Sequence, residues 1–480
     1  MKKDIKNISG QIFHQDQETI IAQCTPISSQ GAIALIRMSG QDAIEIATKI
    51  SRLASGESLI DRPTNTINFG WVIEKISDTC SKNIDQVLFL LMRAPKTFTG
   101  QDTIEITCHN NQFIVQNIIN LAISYGARLA QNGEFTKRAF LNNKIDLVQA
   151  EAINELIHSQ TQVALKSALA QLDGSLSSEI INIENDLIKA LAFSEASFEF
   201  IEDENIEFGP QIKNILENIL KNIFSLKKTF DAQKQIREGI RIAIIGSVNA
   251  GKSSLFNSLL RQNRAIVTNI AGTTRDTIEA NIIINSNNAT LIDTAGLRET
   301  DNQIEKAGIE KSFQEAEKSD IVILVFDNSR DLTLEEATIY QELVNKYCQK
   351  IIFVKNKCDI TPVNSKLLNN LLSEQKENII KVSSLENKNL DTLENIINTK
   401  IKDLFSKIQS PFLLNKRQFN LLHALEKKLQ EILPLISKNP EYEILSYHLR
   451  DTISYLSEIT GKTVDQKSID LIFKEFCVGK

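Results

Sequence analysis

One octapeptide restricts what this 480-residue chain can be more than any other part of it. Gly246-Ser247-Val248-Asn249-Ala250-Gly251-Lys252-Ser253 fits GxxxxGK[ST]. It follows the strand-like run Arg241–Ile245 and precedes a helical pattern from Ser254 to Leu260. In that setting the glycines let the loop turn its N–H groups inward around phosphate oxygens. Lys252 then reaches the β- and γ-phosphates, and the Ser253 hydroxyl is placed to ligate Mg2+. A glycine-rich turn that binds nothing would carry none of the motifs that follow it.

Three such motifs follow in order. Gly272-Thr273-Thr274-Arg275-Asp276 offers Thr274 as a second hydroxyl for Mg2+ and a γ-phosphate sensor. Asp293-Thr294-Ala295-Gly296 ends the run Ala289–Ile292, with Asp293 directed at Mg2+ and the Gly296 N–H at the γ-phosphate. Asn356-Lys357-Cys358-Asp359 ends the run Ile351–Val354. A carboxylate at Asp359 can accept from both N1–H and the 2-amino group of guanine. Adenine offers neither donor and would leave it unpaired, so this loop selects GTP. Ser383-Ser384-Leu385 fits the loop that completes the base pocket. Leu297 stands where Ras-like enzymes carry a water-orienting glutamine, and leucine cannot do that work. No arginine finger is evident: Arg275 and Arg298 are nearby, but either reads equally as a plain surface charge, so the transition-state charge must be met another way.

Around this core the chain changes texture three times. Up to about residue 140, β-rich runs (Ala32–Met38, Thr66–Ile73, Asp85–Met92, Thr103–Thr107) surround one helical pattern, Phe113 to Tyr125, as in a small α+β domain. Apolar residues at a 3–4 spacing then predict long bundle-type helices, beginning with Leu147, Ala150, Ile153 and Ile157. From Ile240 short apolar strands alternate with helices, which implies a mainly parallel sheet covered on both faces. Helical patterning returns from about Leu414. The simplest reading is an α/β domain inserted between two parts of one helical domain.

Composition limits the partners. A net charge of −6 argues against a strong free-standing nucleic-acid binder, so RNA would meet a local patch or be held with a partner. The cysteines Cys24, Cys80, Cys108, Cys348, Cys358 and Cys477 form no CxxC pair and no zinc spacing, and read as reduced thiols of a cytoplasmic protein. Met1-Lys2-Lys3-Asp4 leads into no secretory h-region, and runs such as Ile321 to Phe326 are too short to span a bilayer. No membrane association is therefore expected.

Over essentially its full length the chain resembles the tRNA modification GTPase (MnmE, or TrmE) family. The matching strings are Ala271-Gly272-Thr273-Thr274-Arg275-Asp276, Asp293-Thr294-Ala295-Gly296-Leu297-Arg298-Glu299, Gly133-Glu134-Phe135 with Arg138-Ala139-Phe140-Leu141-Asn142, and Phe476-Cys477-Val478-Gly479-Lys480. The resemblance implies a multidomain α/β plus α fold. Residues 1–142 would form an α+β folate-binding and dimerisation domain, and 143–236 the first part of a helical bundle. Residues 237–404 would be an inserted Ras-like, TrmE-type G domain, and 405–480 the second helical part. It also implies a nucleotide site of Asn249, Ala250, Gly251, Lys252, Ser253 and Ser254, Thr268-Asn269-Ile270-Ala271-Gly272-Thr273-Thr274, Asp293 to Gly296, and Asn356, Lys357 and Asp359. Asn249 would ligate K+ with oxygens from Thr268, Ile270 and Thr273, the ion taking the place of an arginine finger between paired G domains. Counting along the chain, the water-orienting acid falls on Glu305, which composition alone would read as a solvated helix glutamate.

For 5-formyltetrahydrofolate the resemblance implies Arg37, Glu105, Lys144 and Lys480, each of which bottom-up is an ordinary surface charge. Cys477 is either a nucleophile or a small apolar plug that holds the tail. The sequence departs from the family's Cys-His-Gly-Gly at Cys108-His109-Asn110-Asn111, where asparagines would have to supply a left-handed turn, and at Gln131-Asn132 before Gly133. The implied function is a K+-dependent, homodimeric GTP hydrolase. It would work with the FAD-dependent partner MnmG, as a heterotetramer of two plus two, to build a 5-carboxymethylaminomethyl-type group on the wobble uridine of tRNA. A GTPase switch in ribosome assembly is the alternative, and would call for an appended basic RNA-binding domain. A membrane-remodelling GTPase would call for a membrane-binding element.

Overall fold

A computed structural model describes residues 18–26, 31–77, 80–199, 208–228, 230, 237, 239–262, 278–284, 287–294, 304–363, 365–371, 379–406, 412–436 and 441–479. The N-terminal part runs β1 (Ile20–Gln23), β2 (Ile33–Ser39), α1 (Ala43–Lys49), β3 (Ser51–Leu53), β4 (Thr66–Lys75), β5 (Ser81–Met92), β6 (Thr103–His109), α2 (Gln112–Ser124), β7 (Arg128–Leu129) and α3 (Glu134–Leu141). Four helices follow: α4 (Leu147–His158), α5 (Gln162–Leu172), α6 (Ser175–Glu199) and α7 (Gly209–Lys227). The next stretch is β8 (Ile240–Gly246), α8 (Lys252–Gln262), β9 (Ile278–Ile284), β10 (Asn287–Asp293), α9 (Ile304–Lys318), β11 (Ile321–Asp327) and α10 (Leu334–Tyr347). It continues through β12 (Ile351–Asn356), α11 (Lys366–Leu371), β13 (Ile379–Lys381) and α12 (Leu390–Ser406). Last come α13 (Lys416–Ile432), α14 (Tyr442–Thr460) and α15 (Gln466–Lys474).

The chain divides into two compact units. One comprises Met1–Asn154, Gln171–Ile219 and Asn420–Lys480, the other Glu155–Ala170 and Leu220–Phe419. In the first, seven strands lie in the order β3-β4-β5-β6-β2-β1-β7, antiparallel except for the β1–β7 pair. Strand alternation sends Ala34, Ile36, Met38, Ile104 and Ile106 inward, where they form one core with residues of α1 and α2. The opposite face carries Arg37 and Glu105 and the apolar side chains of Ile67, Phe69 and Leu88, all three exposed.

The same unit pairs α6 with α14. Ser194 Oγ donates to Tyr442 O (3.0 Å) and lies 2.8 Å from Ser446 Oγ, Glu195 meets Arg450 (2.5 Å), and Glu184 meets Lys462 (2.6 Å). Rising numbers on one helix meet falling numbers on the other, so the pair is antiparallel. Helical stretches from either side of the α/β segment thus pack together.

In the second unit six strands take the order β13-β12-β11-β8-β10-β9, parallel throughout except for the β9–β10 hairpin. Every residue of β11 is buried, as a parallel strand covered on both faces requires. Ile240, Ile242 and Ile244 enter one core with Leu255 and Leu259 of α8, while Ala243 and Ile245 enter another with Tyr340 and Leu343 of α10. The expected mainly parallel, two-faced sheet is what forms. The carboxyl ends of β8, β10, β11 and β12 stand side by side, the place where open α/β sheets bind ligands.

Candidate functional site

The phosphate loop leaves β8 at Gly246 and enters α8 at Lys252, because Leu255, Phe256 and Leu259 at a 3–4 spacing bury that helix against the sheet. Asn249 stands at φ 62°, in the left-handed region that asparagine tolerates best after glycine, and is exposed at the loop's outer turn. Lys252 is buried and donates from Nζ to Gly246 O and Ser247 O, both at 2.7 Å. Burial lowers its pKa, and the charge of Asp293, itself buried at the end of β10, works against that. Ser253 is exposed in the first turn of α8, and Thr294 Oγ1 donates to Ile244 O at 2.8 Å.

The Asn356–Asp359 loop, the one expected to read the base, is tied to this loop by the Asn356 side chain. Asn356 Nδ2 donates to Ala250 O (3.1 Å) and Gly251 O (3.3 Å), while its Oδ1 accepts from Ser384 N (3.2 Å) and Ser384 Oγ (3.0 Å). A Cβ on Gly251 would lie 2.2 Å from Asn356 Nδ2, so only glycine allows the two loops this close. Ser383 Oγ donates to Asp359 Oδ1 at 2.5 Å and orients that exposed carboxylate. Lys357 sits at φ 63°, and its ammonium meets Asp327 Oδ2 at 2.6 Å. The structure thus brings together the Gly246–Ser253 loop, Asp293, Asn356–Asp359 and Ser383–Ser384. Thr268, Asn269, Ile270, Ala271, Gly272, Thr273 and Thr274, with Arg275, Ala295, Gly296, Leu297 and Arg298, lie outside the described residues, as does Lys480. Glu305 falls in α9, and its side chain is outside the description.

In the other unit, β2–β6 register sets Arg37 opposite Glu105, and the two form an ion pair at 2.7 Å. The Arg37 guanidinium lies 6.0 Å from the Phe98 ring and 5.7 Å from the Phe135 ring. Gly479 O accepts from Arg37 Nη1 (3.4 Å) and from Cys24 Sγ (3.1 Å), so the tail folds onto the same spot. Lys144 Nζ donates to Pro95 O at 2.7 Å, and its aliphatic stem lies against Gly100, in the loop that carries Phe98. Phe476 is the buried plug of the tail; Cys477 is exposed, and its carbonyl accepts from Gly133 N at 3.2 Å. Asn110 and Asn111 supply no left-handed turn. Asn111, at φ −113°, caps α2 by accepting from Phe113 N and Ile114 N, and Asn110 Nδ2 donates to Gly31 O. Phe98, Cys24, Asp327 and Arg330 carried no sequence signal, and Phe135 stood only within the family-matching string Gly133-Glu134-Phe135; Asp327, closing an apolar run, stood where such a signal could have been sought.

A parallel sheet with a glycine loop between its β8 strand and α8, and loops converging at its carboxyl edge, defines a P-loop GTPase. A family model described as "MnmE helical domain" matches residues 147–477, and one described as "GTP-binding protein TrmE N-terminus" matches residues 19–144. The chain is 36% identical over 469 residues to the tRNA modification GTPase MnmE of Lactobacillus helveticus, covering 96% of this chain and 98% of that protein. It is 38% identical over 473 residues to the protein of that name from Enterococcus faecalis, again covering 96% and 98%. The structure of Aquifex aeolicus Era bound to GDP·AlF4− aligns with 39% of this chain and 66% of its own at 25% identity and a TM-score of 0.27. The chain belongs to the tRNA modification GTPase MnmE family. Among the described residues no helix is long and apolar enough to cross a membrane.

Proposed function

We propose that this protein hydrolyses GTP, as an acid-anhydride hydrolase, in the service of tRNA modification at the wobble uridine. The observation that carries the reading is Asn356, whose amide joins the phosphate loop to the base-reading loop while Ser383 aims Asp359. Such an arrangement suits a guanine held at one end and phosphates at the other. Ser253, Thr274 and Asp293 would hold Mg2+, which neutralises charge on the phosphate oxygens; the buried Asp293 beside Lys252 and the exposed Ser253 fit it. Asn249, Thr268, Ile270 and Thr273 would hold K+, which adds a positive charge across the phosphates; the exposed, left-handed Asn249 amide fits that role. Glu305 would orient the attacking water.

The proposal extends to the other unit. Arg37, Glu105, Lys144 and Lys480 would bind 5-formyltetrahydrofolate. The exposed ring of Phe98 beside Arg37 and a paired donor and acceptor in Arg37 and Glu105 support that ligand. A homodimer would form through the open sheet face, where Ile67, Phe69 and Leu88 are exposed side by side. The G domain would lie inserted in the helical domain, with boundaries near residues 237 and 404. The protein would act on tRNA together with MnmG, in the cytoplasm, with paired G domains opening and closing on hydrolysis.

GTP hydrolysis in K+ and in Na+ at equal ionic strength tests the mechanism, with Asn249→Ala alongside. Strong activation by K+ that Asn249→Ala abolishes is expected. Equal rates in the two salts would end the cation-finger reading and leave Arg275 or Arg298, or a partner's arginine, to supply the charge.

A further inference from the structure

The phosphate loop is gripped from outside by the connection between β11 and α10 and by α10 itself. Ser247 is held at three atoms: its N–H donates to Tyr340 Oη (2.5 Å), its Oγ accepts from Arg330 Nη2 (2.9 Å), and its carbonyl accepts from Lys252 Nζ (2.7 Å). Arg330 is itself fixed by a two-pronged contact with Glu336 at 2.6 and 3.0 Å. Glu336 closes a capping box with Thr333 at the start of α10, so the clamp is seated on a regular helix. Burial works against ionisation of Glu336, but hydrogen bonds from Arg330 and from Thr333 N–H outweigh it and keep the carboxyl below its ordinary range. Arg330 Nε also lies 4.0 Å from Asp327 Oδ2, the carboxylate that holds Lys357 of the base-reading loop.

We propose that Arg330 is a positioning residue for the phosphate loop: anchored by Glu336, it fixes Ser247 and thereby sets how long a guanine nucleotide stays bound. The inference rests on the GTPase reading above. Loop N–H groups hold phosphate well only when their directions are fixed before the ligand arrives. Freeing Ser247 Oγ should therefore loosen the end of the loop where it leaves β8. The effect should be confined to ligands whose β-phosphate enters the loop.

The test follows dissociation of fluorescent mant-GDP from the full-length chain after mixing with excess unlabelled GDP. Arg330→Ala and Ser247→Ala should each release mant-GDP about tenfold faster, the worth of one charge-assisted hydrogen bond. The double variant should be no faster than the faster single one, because the Arg330 bond is among those that Ser247→Ala removes, the hydroxyl also meeting Glu336 and Tyr340. Affinity for GMP, which has no β-phosphate, should be unchanged in all three. Ser247→Ala deletes one hydroxyl and leaves the Arg330–Glu336 pair intact, so it carries the test if Arg330→Ala does not fold. Release at the wild-type rate from either single variant, two effects that multiply, or an equal loss of GMP affinity would overturn the inference. Failure of the wild-type chain to retain mant-GDP would instead sink the nucleotide reading itself.

Discussion

Single side chains in this protein do two jobs where charge is buried. Glu134 accepts from Arg128 at 2.6 and 2.9 Å, from Arg138 at 2.9 Å and from Gln131 N at 2.9 Å, and both it and Arg138 are almost fully buried. Burial alone would raise the Glu134 pKa, but the bonds from Arg128 and Gln131 and the charge of Arg138 win and hold it below its ordinary 4.5. The stability this supplies is complete above that ordinary value and is lost as pH falls through the lower folded value. Glu134→Gln should therefore lose about 3 kcal/mol at pH 7, because it leaves Arg138 short of a buried partner. The difference from wild type should shrink as the pH is lowered below about 4.5, as urea unfolding at a series of pH values would read. Lys357 pairs a charge with a strain in the same way: its left-handed backbone is uncommon for a residue other than glycine, asparagine or aspartate, and its ion pair with the buried Asp327 helps to hold it there.

Among elements, the N-terminus of α3 and the C-terminal helix α15 meet where no side chain fits. Gly133, at φ 63°, begins α3, and a Cβ there would lie 2.6 Å from Phe473 O and 2.7 Å from Phe476 Cβ. Gly133→Ala should cost about 2–3 kcal/mol from overpacking and backbone strain together. It should also speed tryptic cutting after Lys474, while an unchanged melting temperature and cutting rate would refute this account of the contact. That meeting was not legible in the sequence, because the partners are some 340 residues apart. The helix–strand alternation of the α/β unit was legible, because buried parallel strands read as unbroken apolar runs such as Ile321 to Phe326. The short elements β1, β3, β7 and α1 left no such run and passed unread. The nucleotide motifs were readable because each sits within a few residues of chain. Arg37 and Glu105 carry no local mark, since it is strand register across 68 positions that makes them a pair.

At the scale of the molecule, the sheet of the first unit keeps one face for its own helices and leaves Ile67, Phe69 and Leu88 on the other. If that face joins two copies, Leu88→Lys should shift sedimentation equilibrium toward monomer. It should leave mant-GDP binding intact, since the phosphate loop belongs to the other compact unit. A persistent dimer would place the joint elsewhere. The tail contact carries a further consequence, one of timing. Gly479 O rests on Cys24 Sγ, 455 positions upstream, and on Arg37. Synthesis at roughly 5–20 residues per second puts about 20–90 s between the first partner and the last. A nascent chain can assemble the six-stranded sheet, all of whose strands lie within Leu220–Phe419, while Arg37 still lacks its contact with the tail. Arg37 and Cys24 can meet the tail only after translation has passed residue 479, so the surroundings of Arg37 in a partly made copy differ from those in the finished one.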